Sequence, residues 1–460
     1  MPTGDLLGRL IALEPAARRE FLRRTQDGDR ESGVPARPRP SRFPAFPAQQ
    51  SQWFLWRMAP ADPAYHVPAC YDIRGPLRVD VLAEAVAALV ARHEILRTGF
   101  DVAGSELQQV VHERMRVPVE MSRVSGRNQA LPAAESAVEE AFDLLRGPLL
   151  RVRVWQYGPQ RFLLLTVFHH IVIDERGSEI FEAELGELYR AAVQDRSAAL
   201  APLAAQCGDL ALRHSAHDRD TGIAYWREHL TGSVPTSLPG DRPARPAERL
   251  PGAVVLHPLP PGSGQRTADL AAELGVTPFA VVAAAFADYL ARFAGDSDVV
   301  FGTPVSCREE PGADALVGYF LNTLALRLPV PPGGGFAELA VEAQRVITRG
   351  LRHRHVAFAD IVEATGRIAG PFRNPLFDVL LVYLQGESAD RCLRLTDDVV
   401  VARHVLPPRS AFPYLAFMVL HQGQDLTLLV RYPVDHYDDA TVRRHAADLA
   451  DAFHHKLIGR

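Results

Sequence analysis

With 460 residues, 47% of them hydrophobic, the chain is too long for one ordinary core and fits two domains of roughly 200 residues each. Its 50 basic and 55 acidic residues are dispersed and leave a net charge of −5, so no basic stripe of the kind that binds nucleic acid is present and that class is excluded. The four cysteines, Cys70, Cys207, Cys307 and Cys392, lie far apart in no motif, which predicts free thiols in a reducing cytoplasm rather than a disulfide framework.

Taken in order, residues 4–24 read as an amphipathic helix with Leu6, Leu7, Leu10, Ile11, Leu13, Phe21 and Leu22 on an imperfect apolar stripe. The charges within it do not suit a secretory signal. A charged, Pro-rich linker is expected over residues 25–44. The spacing of Leu82, Val86, Leu89 and Val90 predicts a helix over 79–92 that buries one face against a sheet. Strands are expected over 108–112, 117–121 and 149–157, giving a mixed rather than all-parallel sheet.

The next strand, 162–168, is a continuous apolar run, and two histidines, His169 and His170, follow it. Asp174 comes four residues after His170, and Ile180, Phe181, Leu185, Leu188 and Tyr189 then mark one face of a helix ending near residue 193. After a polar, Ala-rich stretch, a helical segment at 223–230 leads into the second half. There Thr277 as N-cap and Pro278 in the first turn announce a helix through residue 293, apolar almost all round and so buried on most sides. Its run 278–287 is about half the length that spans a bilayer, so a soluble protein without membrane partners is expected. A strand over 299–305 and a turn at Ser306-Cys307-Arg308 follow.

A strand end is a rigid place to fix an imidazole, whose ordinary pKa of about 6.5 lets it exchange a proton near neutrality. Side chains alternate along a strand, so His170 can face a cleft while His169 braces the scaffold. Two histidines that only satisfy buried hydrogen bonds are the simpler alternative, and HHxxxD directly after a strand favours function. No HExxH and no paired CxxC occur, so no metal site is expected.

The run His169-His170-Ile171-Val172-Ile173-Asp174 resembles the HHxxxD signature of the condensation domains of nonribosomal peptide synthetases, in the superfamily that includes chloramphenicol acetyltransferase. Further family motifs recur in order: Ala48-Gln49 to Trp53-Phe54-Leu55, Arg92-His93-Glu94-Ile95-Leu96-Arg97-Thr98-Gly99-Phe100, Val317-Gly318-Tyr319-Phe320-Leu321-Asn322-Thr323 and Phe372-Arg373-Asn374-Pro375-Leu376. The resemblance covers about residues 41 to 460. It implies an α/β (α+β sandwich) fold of two chloramphenicol-acetyltransferase-like lobes, a V-shaped pseudo-dimer with the site in the cleft between them. Residues 1–40 would form a helical leader and linker, 41–205 the N-terminal lobe and 206–460 the C-terminal lobe.

The same resemblance implies acyl transfer from the thioester on a donor peptidyl carrier protein to an amine, or a hydroxyl, on an acceptor carrier. Both substrates would arrive on phosphopantetheine, with no cofactor bound directly and the chain a monomer. His170 would position the nucleophile and take its proton, with His169 bracing and Asp174 held by Arg97. Arg308 is a second candidate partner for Asp174. Gly318, Asn322 and Asn374 would shape the cleft or touch substrate, although Asn before Pro is also an ordinary turn residue.

The sequence departs from the family pattern at three places. Asp174 is followed by Glu175-Arg176-Gly177-Ser178 rather than by glycine, an aromatic residue and serine. Glu175 and Ser178 are therefore candidates for the cleft, where a carboxylate would raise a histidine pKa and could serve as a second acid or base. The alternative is that Glu175 and Arg176 simply begin a helix. The element at Ala411-Phe412-Pro413-Tyr414 lacks the family's acid, and no carrier or adenylation motif is seen, so a standalone enzyme or an excised domain is expected. Three functions stay open: condensation, modification of a carrier-bound residue by loss of water or a β-substituent, and non-catalytic recruitment of a tailoring enzyme.

Overall fold

The computed structural model describes residues 40–104, 106–214, 219–243, 250–367, 374–385, 393–412 and 414–458. The helix expected over 4–24, most of the linker, and Phe372, Arg373, Cys392 and Pro413 lie outside them. The linker expected as far as residue 44 gives way earlier, because β1 (Arg42–Pro44) pairs antiparallel with residues 108–110. That strand and α1 (Pro47–Met58), which starts on a proline, lead to β2 (His66–Arg74) and α2 (Val79–Arg92). In α2 the predicted face, Leu82, Val86, Leu89 and Val90, is buried. There follow β3 (Thr98–Ala103), β4 (Glu106–Val111), β5 (Val119–Arg123), α3 (Arg127–Glu139), β6 (Leu150–Gly158), β7 (Arg161–His169) and α4 (Glu175–Val193). Helices α5 (Cys207–His214) and α6 (Arg219–Leu230) lead on to the second half.

The second half runs β8 (Gly252–Pro258), α7 (Ser263–Leu274), α8 (Pro278–Ala294), β9 (Asp298–Ser306), β10 (Leu321–Pro329), α9 (Phe336–Arg352), α10 (Phe358–Thr365) and β11 (Val379–Gln385). It ends with β12 (Val400–His404), β13 (Leu415–Gln422), β14 (Asp425–Pro433) and α11 (Asp439–Ile458). Thr277 caps α8 by accepting a hydrogen bond from the Ala280 N–H at 3.3 Å, and every residue from Ala280 to Ala287 is buried, as the all-round apolar pattern requires. No single described helix is long and apolar enough to cross a membrane; α7 and α8 reach that length only together, bent by 102°.

Three sheets organise these elements. The first has the order β12-β2-β7-β6-β5, with only the β5–β6 pair parallel. The second is β10-β9-β11-β13-β14-β8, parallel on both sides of β11, and β1-β4-β3 is a small antiparallel sheet. Strand β7 is central in the first sheet and buried from Phe162 to His169, which explains why its sequence is continuously apolar rather than alternating. Each large sheet has its own core. The core around β7 also takes in Cys207, Leu210, Val317, Phe320 and Leu395, so the second half of the chain helps to close the first.

That sharing is most direct at β12, which crosses back and pairs with β2, Val400 facing Arg74 and His404 facing Cys70. The approach to β12 lies so close to α4 that a Cβ on Gly186 would run into the Arg394 carbonyl, and the Arg190 guanidinium donates to that same carbonyl. Cys70 and Cys207 are buried free thiols and Cys307 is a half-buried one; burial pushes Cys70 and Cys307 up to about 12.

Candidate active site

Strand β7 delivers the two histidines into different surroundings. His169 is the last strand residue, opposite His66 on β2, and is only 3% exposed. The Ile171 N–H donates to its Nδ1 at 3.2 Å, which leaves its proton on Nε2. The rings of Phe142 and His66 stand edge-on to it, and burial, with His66 and His170 adding, holds His169 neutral well below the usual histidine range. His170 opens a 3-10 turn, His170–Val172, and is mostly buried. Its Nδ1–H donates to the Ile173 carbonyl at 2.6 Å, so Nε2 carries the lone pair. Burial lowers its pKa; the Ile173 carbonyl and Asp174 partly offset this and Arg431 adds to it. The result is a neutral imidazole with one basic nitrogen and a fixed tautomer.

The turn itself is held by α1. Gln49 donates through Nε2 to the Ile171 carbonyl at 3.1 Å and accepts from the Phe46 N–H at 2.9 Å. Tyr319 packs edge-on against His170 with ring centroids 4.9 Å apart, and its hydroxyl accepts from Gln52 Nε2 at 3.4 Å.

Asp174 is the N-cap of α4 and its carboxylate is completely engaged. Oδ1 accepts from the Gly177 N–H at 2.7 Å and from Arg308 Nη2 at 2.6 Å; Oδ2 accepts from Arg308 Nε at 3.2 Å and from the Phe320 N–H at 3.0 Å. Its own N–H donates to the Gly318 carbonyl at 2.9 Å. The two side chains are 2% and 6% exposed, and the rest of Arg308 is used by the carbonyls of Ala313 and Leu316 and by the Phe320 ring 4.5 Å below its guanidinium. A buried pair with two charge-assisted hydrogen bonds and every remaining lone pair satisfied is the favourable form of such a contact. It fixes the histidine turn to the segment 308–320 of the second half. Gly177 and Gly318 make the close approach possible: a Cβ on Gly177 would stand 3.1 Å from the Gly318 N and O atoms.

Several expectations are corrected here. Arg97 does not hold Asp174. It ends a 3-10 turn, Glu94–Arg97, that aims its guanidinium at the end of β4, where Nη1 donates to the His112 carbonyl at 2.5 Å and Nη2 pairs with Glu94 at 3.4 Å. In the same motif His93 and Arg92 are the residues that reach α4, through Glu184 at 2.8 and 2.9 Å, and His93 Nδ1 also accepts from the Val317 N–H. Asn322 is buried with its amide spent on backbone, donating to the Arg354 and Val356 carbonyls at 2.6 and 2.7 Å and accepting from the Thr323 N–H at 2.8 Å; it ties β10 down instead of facing substrate. Asn374 Oδ1 accepts from the N–H groups of Leu376 and Phe377, the ordinary turn role. Ser178 Oγ donates to the Asp174 carbonyl at 3.1 Å, within the first turn of α4. Glu175 is the first helical residue and exposed, and the rise in histidine pKa expected from it does not occur, because burial outweighs any nearby carboxylate.

A cavity of about 400 Å³ is lined by His214, Cys307, Glu309, Arg352, Arg354 and His355, beside the Arg308 turn and not at the histidines. Among the described residues no group of three or more His, Cys, Asp or Glu side chains could hold a metal ion.

A mixed five-stranded sheet ending in HHxxxD, clamped through Asp174 to the other half of the chain, defines the chloramphenicol-acetyltransferase-like class of fold. The family model for the condensation domain matches residues 41–456, and the chain belongs to that family. It is 31% identical over 461 residues to phosphinothricin tripeptide synthetase PhsC of Streptomyces viridochromogenes, covering 97% of this chain and 42% of that protein. To tyrocidine synthase 2 of Brevibacillus parabrevis it is 31% identical, over 96% of this chain and 12% of that protein. The chain thus spans less than half the length of these relatives. Among solved structures, the X-domain from teicoplanin biosynthesis superposes with a TM-score of 0.81 at 24% identity, covering 92% of this chain and 96% of that one. A four-domain nonribosomal peptide synthetase bound to AMP and glycine gives 0.79 at 18%, covering 94% and 35%.

Proposed function

We propose that this chain joins two carrier-bound substrates by acyl transfer. The observation that carries the reading is the fixed tautomer of His170, whose Nδ1–H is committed to the Ile173 carbonyl while Nε2 stays basic and neutral. An amine on the acceptor's phosphopantetheine attacks the thioester carbonyl of the donor. The C–N bond forms, the C–S bond breaks, and the amine proton passes by way of His170 Nε2 to the departing thiolate. General-base help of this kind is worth roughly 10²–10⁴-fold, and positioning of the two reactants adds to it. His169 braces the strand end, and Asp174 with Arg308 keeps the turn in place. Donor and acceptor peptidyl carrier proteins are the partners that this chemistry requires.

The test is to supply separately loaded donor and acceptor carriers and weigh the intact proteins afterwards. A mass equal to the joined substrates on one carrier supports the reading, and unchanged carriers overturn it. A second reading, recruitment of a tailoring enzyme without chemistry, is favoured by the likeness to the X-domain, which has also been solved in complex with OxyB and aligns at 25% identity with a TM-score of 0.80. Unchanged carriers together with retention of a tailoring enzyme would support it. The modifying reading loses the feature that raised it, since Glu175 is an exposed helix-start residue; loss of water on a single carrier would restore it.

A further inference from the structure

Arg431 on β14 is a half-buried cation that forms no ion pair among the described residues. Its Nε donates to the Ser410 carbonyl at 2.9 Å and its Nη2 to the Ser410 and Ala64 carbonyls, while the guanidinium lies 4.5 Å from the centre of the Phe412 ring. Nη1 has no acceptor among the described residues and is not sealed from solvent. Asp62 acts on it only from a distance, because Asp62 Oδ1 accepts from the Ala64 N–H and the Ser410 hydroxyl. Burial pulls the guanidinium down from its usual range, as expected of a cation withdrawn from water without a counterion.

The surroundings connect this charge to His170. The Tyr65 ring lies tilted against Phe412 with centroids 5.2 Å apart, and Tyr414 stacks on the same Phe412 at 5.4 Å; burial pushes the Tyr414 phenol up to about 12 and raises Tyr65 as well, so both stay neutral, and Tyr319 lies against His170. Arg431 Nη2 reaches the Ala64 carbonyl two residues before His66, which faces His169 across β2 and β7, so the open fork of the guanidinium and the Tyr65 phenol stand near the strand end that carries the reactive imidazole, where burial makes a charge-assisted hydrogen bond strong.

We infer that Arg431, with Tyr65 and Tyr414, forms a specificity site for a carboxylate carried on the substrate's side chain. The carboxylate accepts from Nη1 and supplies the missing countercharge, whereas the isosteric amide leaves the cation unpaired. The inference rests on the acyl-transfer reading for the idea that substrate enters here, and it is tested by binding so that the two can fail separately.

The probes are non-hydrolysable aminopantetheine amides of aspartate, asparagine, glutamate and glutamine. The protein should bind the acid of at least one matched pair about tenfold more tightly than its amide, the effect of one charge-assisted hydrogen bond. That preference should shrink as salt is raised, vanish in Arg431→Gln and persist in part in Arg431→Lys. Equal binding of acid and amide by the natural protein overturns the inference even if Arg431→Gln does not fold. So does a preference that survives Arg431→Gln, or an equal loss for acid and amide, which marks a purely structural arginine. An acid preference without any joined product leaves Arg431 in this role and removes the acyl-transfer reading; joined product without the preference does the reverse.

Discussion

Arg308 and Arg431 both approach the histidine turn from the second half of the chain, and they are satisfied in opposite ways. Arg308 meets Asp174 with two hydrogen bonds, in a contact whose every donor and acceptor is used. Arg431 has only carbonyls and an aromatic face. A closed pair contributes to structure because it has no unmet demand, whereas a cation that keeps an open donor is prepared for something not yet present. Two arginines of the same half of the chain thus separate into a fastener and a receptor by what stands opposite them.

The comparison can be broken most forcefully at the fastener. Asp174→Ala or Arg308→Ala leaves the other charge buried and alone, and each should cost about 3–5 kcal/mol in urea unfolding. Arg97→Ala, which gives up a long, partly buried pair and one carbonyl contact, should cost about 1 kcal/mol. Equal losses at Arg97 and Arg308 would contradict the assignment. Next in size, His170→Ala should lower the rate of product formation at least about a hundredfold with the unfolding curve unchanged; a well-folded variant of normal rate would remove His170 from the chemistry.

The pH dependence should be gentler. His169 and His170 have depressed pKa values in the folded protein, so below about 6.5 the unfolded chain binds protons first. Their contribution to stability is therefore complete above that pH and declines as pH falls below it. The acid limb of kcat/KM should likewise lie below about 6.5. Stability that stays flat from pH 7 to 5 would refute the buried neutral state. The smallest effect belongs to Glu175→Gln, which should change stability by less than about 0.5 kcal/mol and leave the pH–rate profile in place. A displaced profile would return Glu175 to the site.

Much of this was legible from residue patterns. The helix over 79–92 follows from periodicity and the buried strand before His169 from its unbroken apolar run, and HHxxxD located the turn. What the pattern could not give was which arginine meets Asp174, because Arg97 and Arg308 are both compatible with a buried acid and only the aim of the Glu94–Arg97 turn decides between them. Asn322 and Asn374 looked available for substrate because an amide reads the same in a sequence whether or not backbone atoms have taken it up. Arg431 carried no motif. The one signal was local: an arginine in a strand beside Tyr414, where the family's acid is missing.

Strand β12 has a consequence for anyone who would divide the protein. It occupies the edge of the first sheet beside β2, although it belongs by sequence to the second half. A fragment ending near residue 205 would keep β7 and both histidines yet leave the N–H and C=O groups on the β12 side of β2 unpaired along an open border. Such a fragment would recruit foreign strands and aggregate. Supplying residues 393–404 as a separate peptide should restore its solubility, much as a donated strand completes an unfinished sheet.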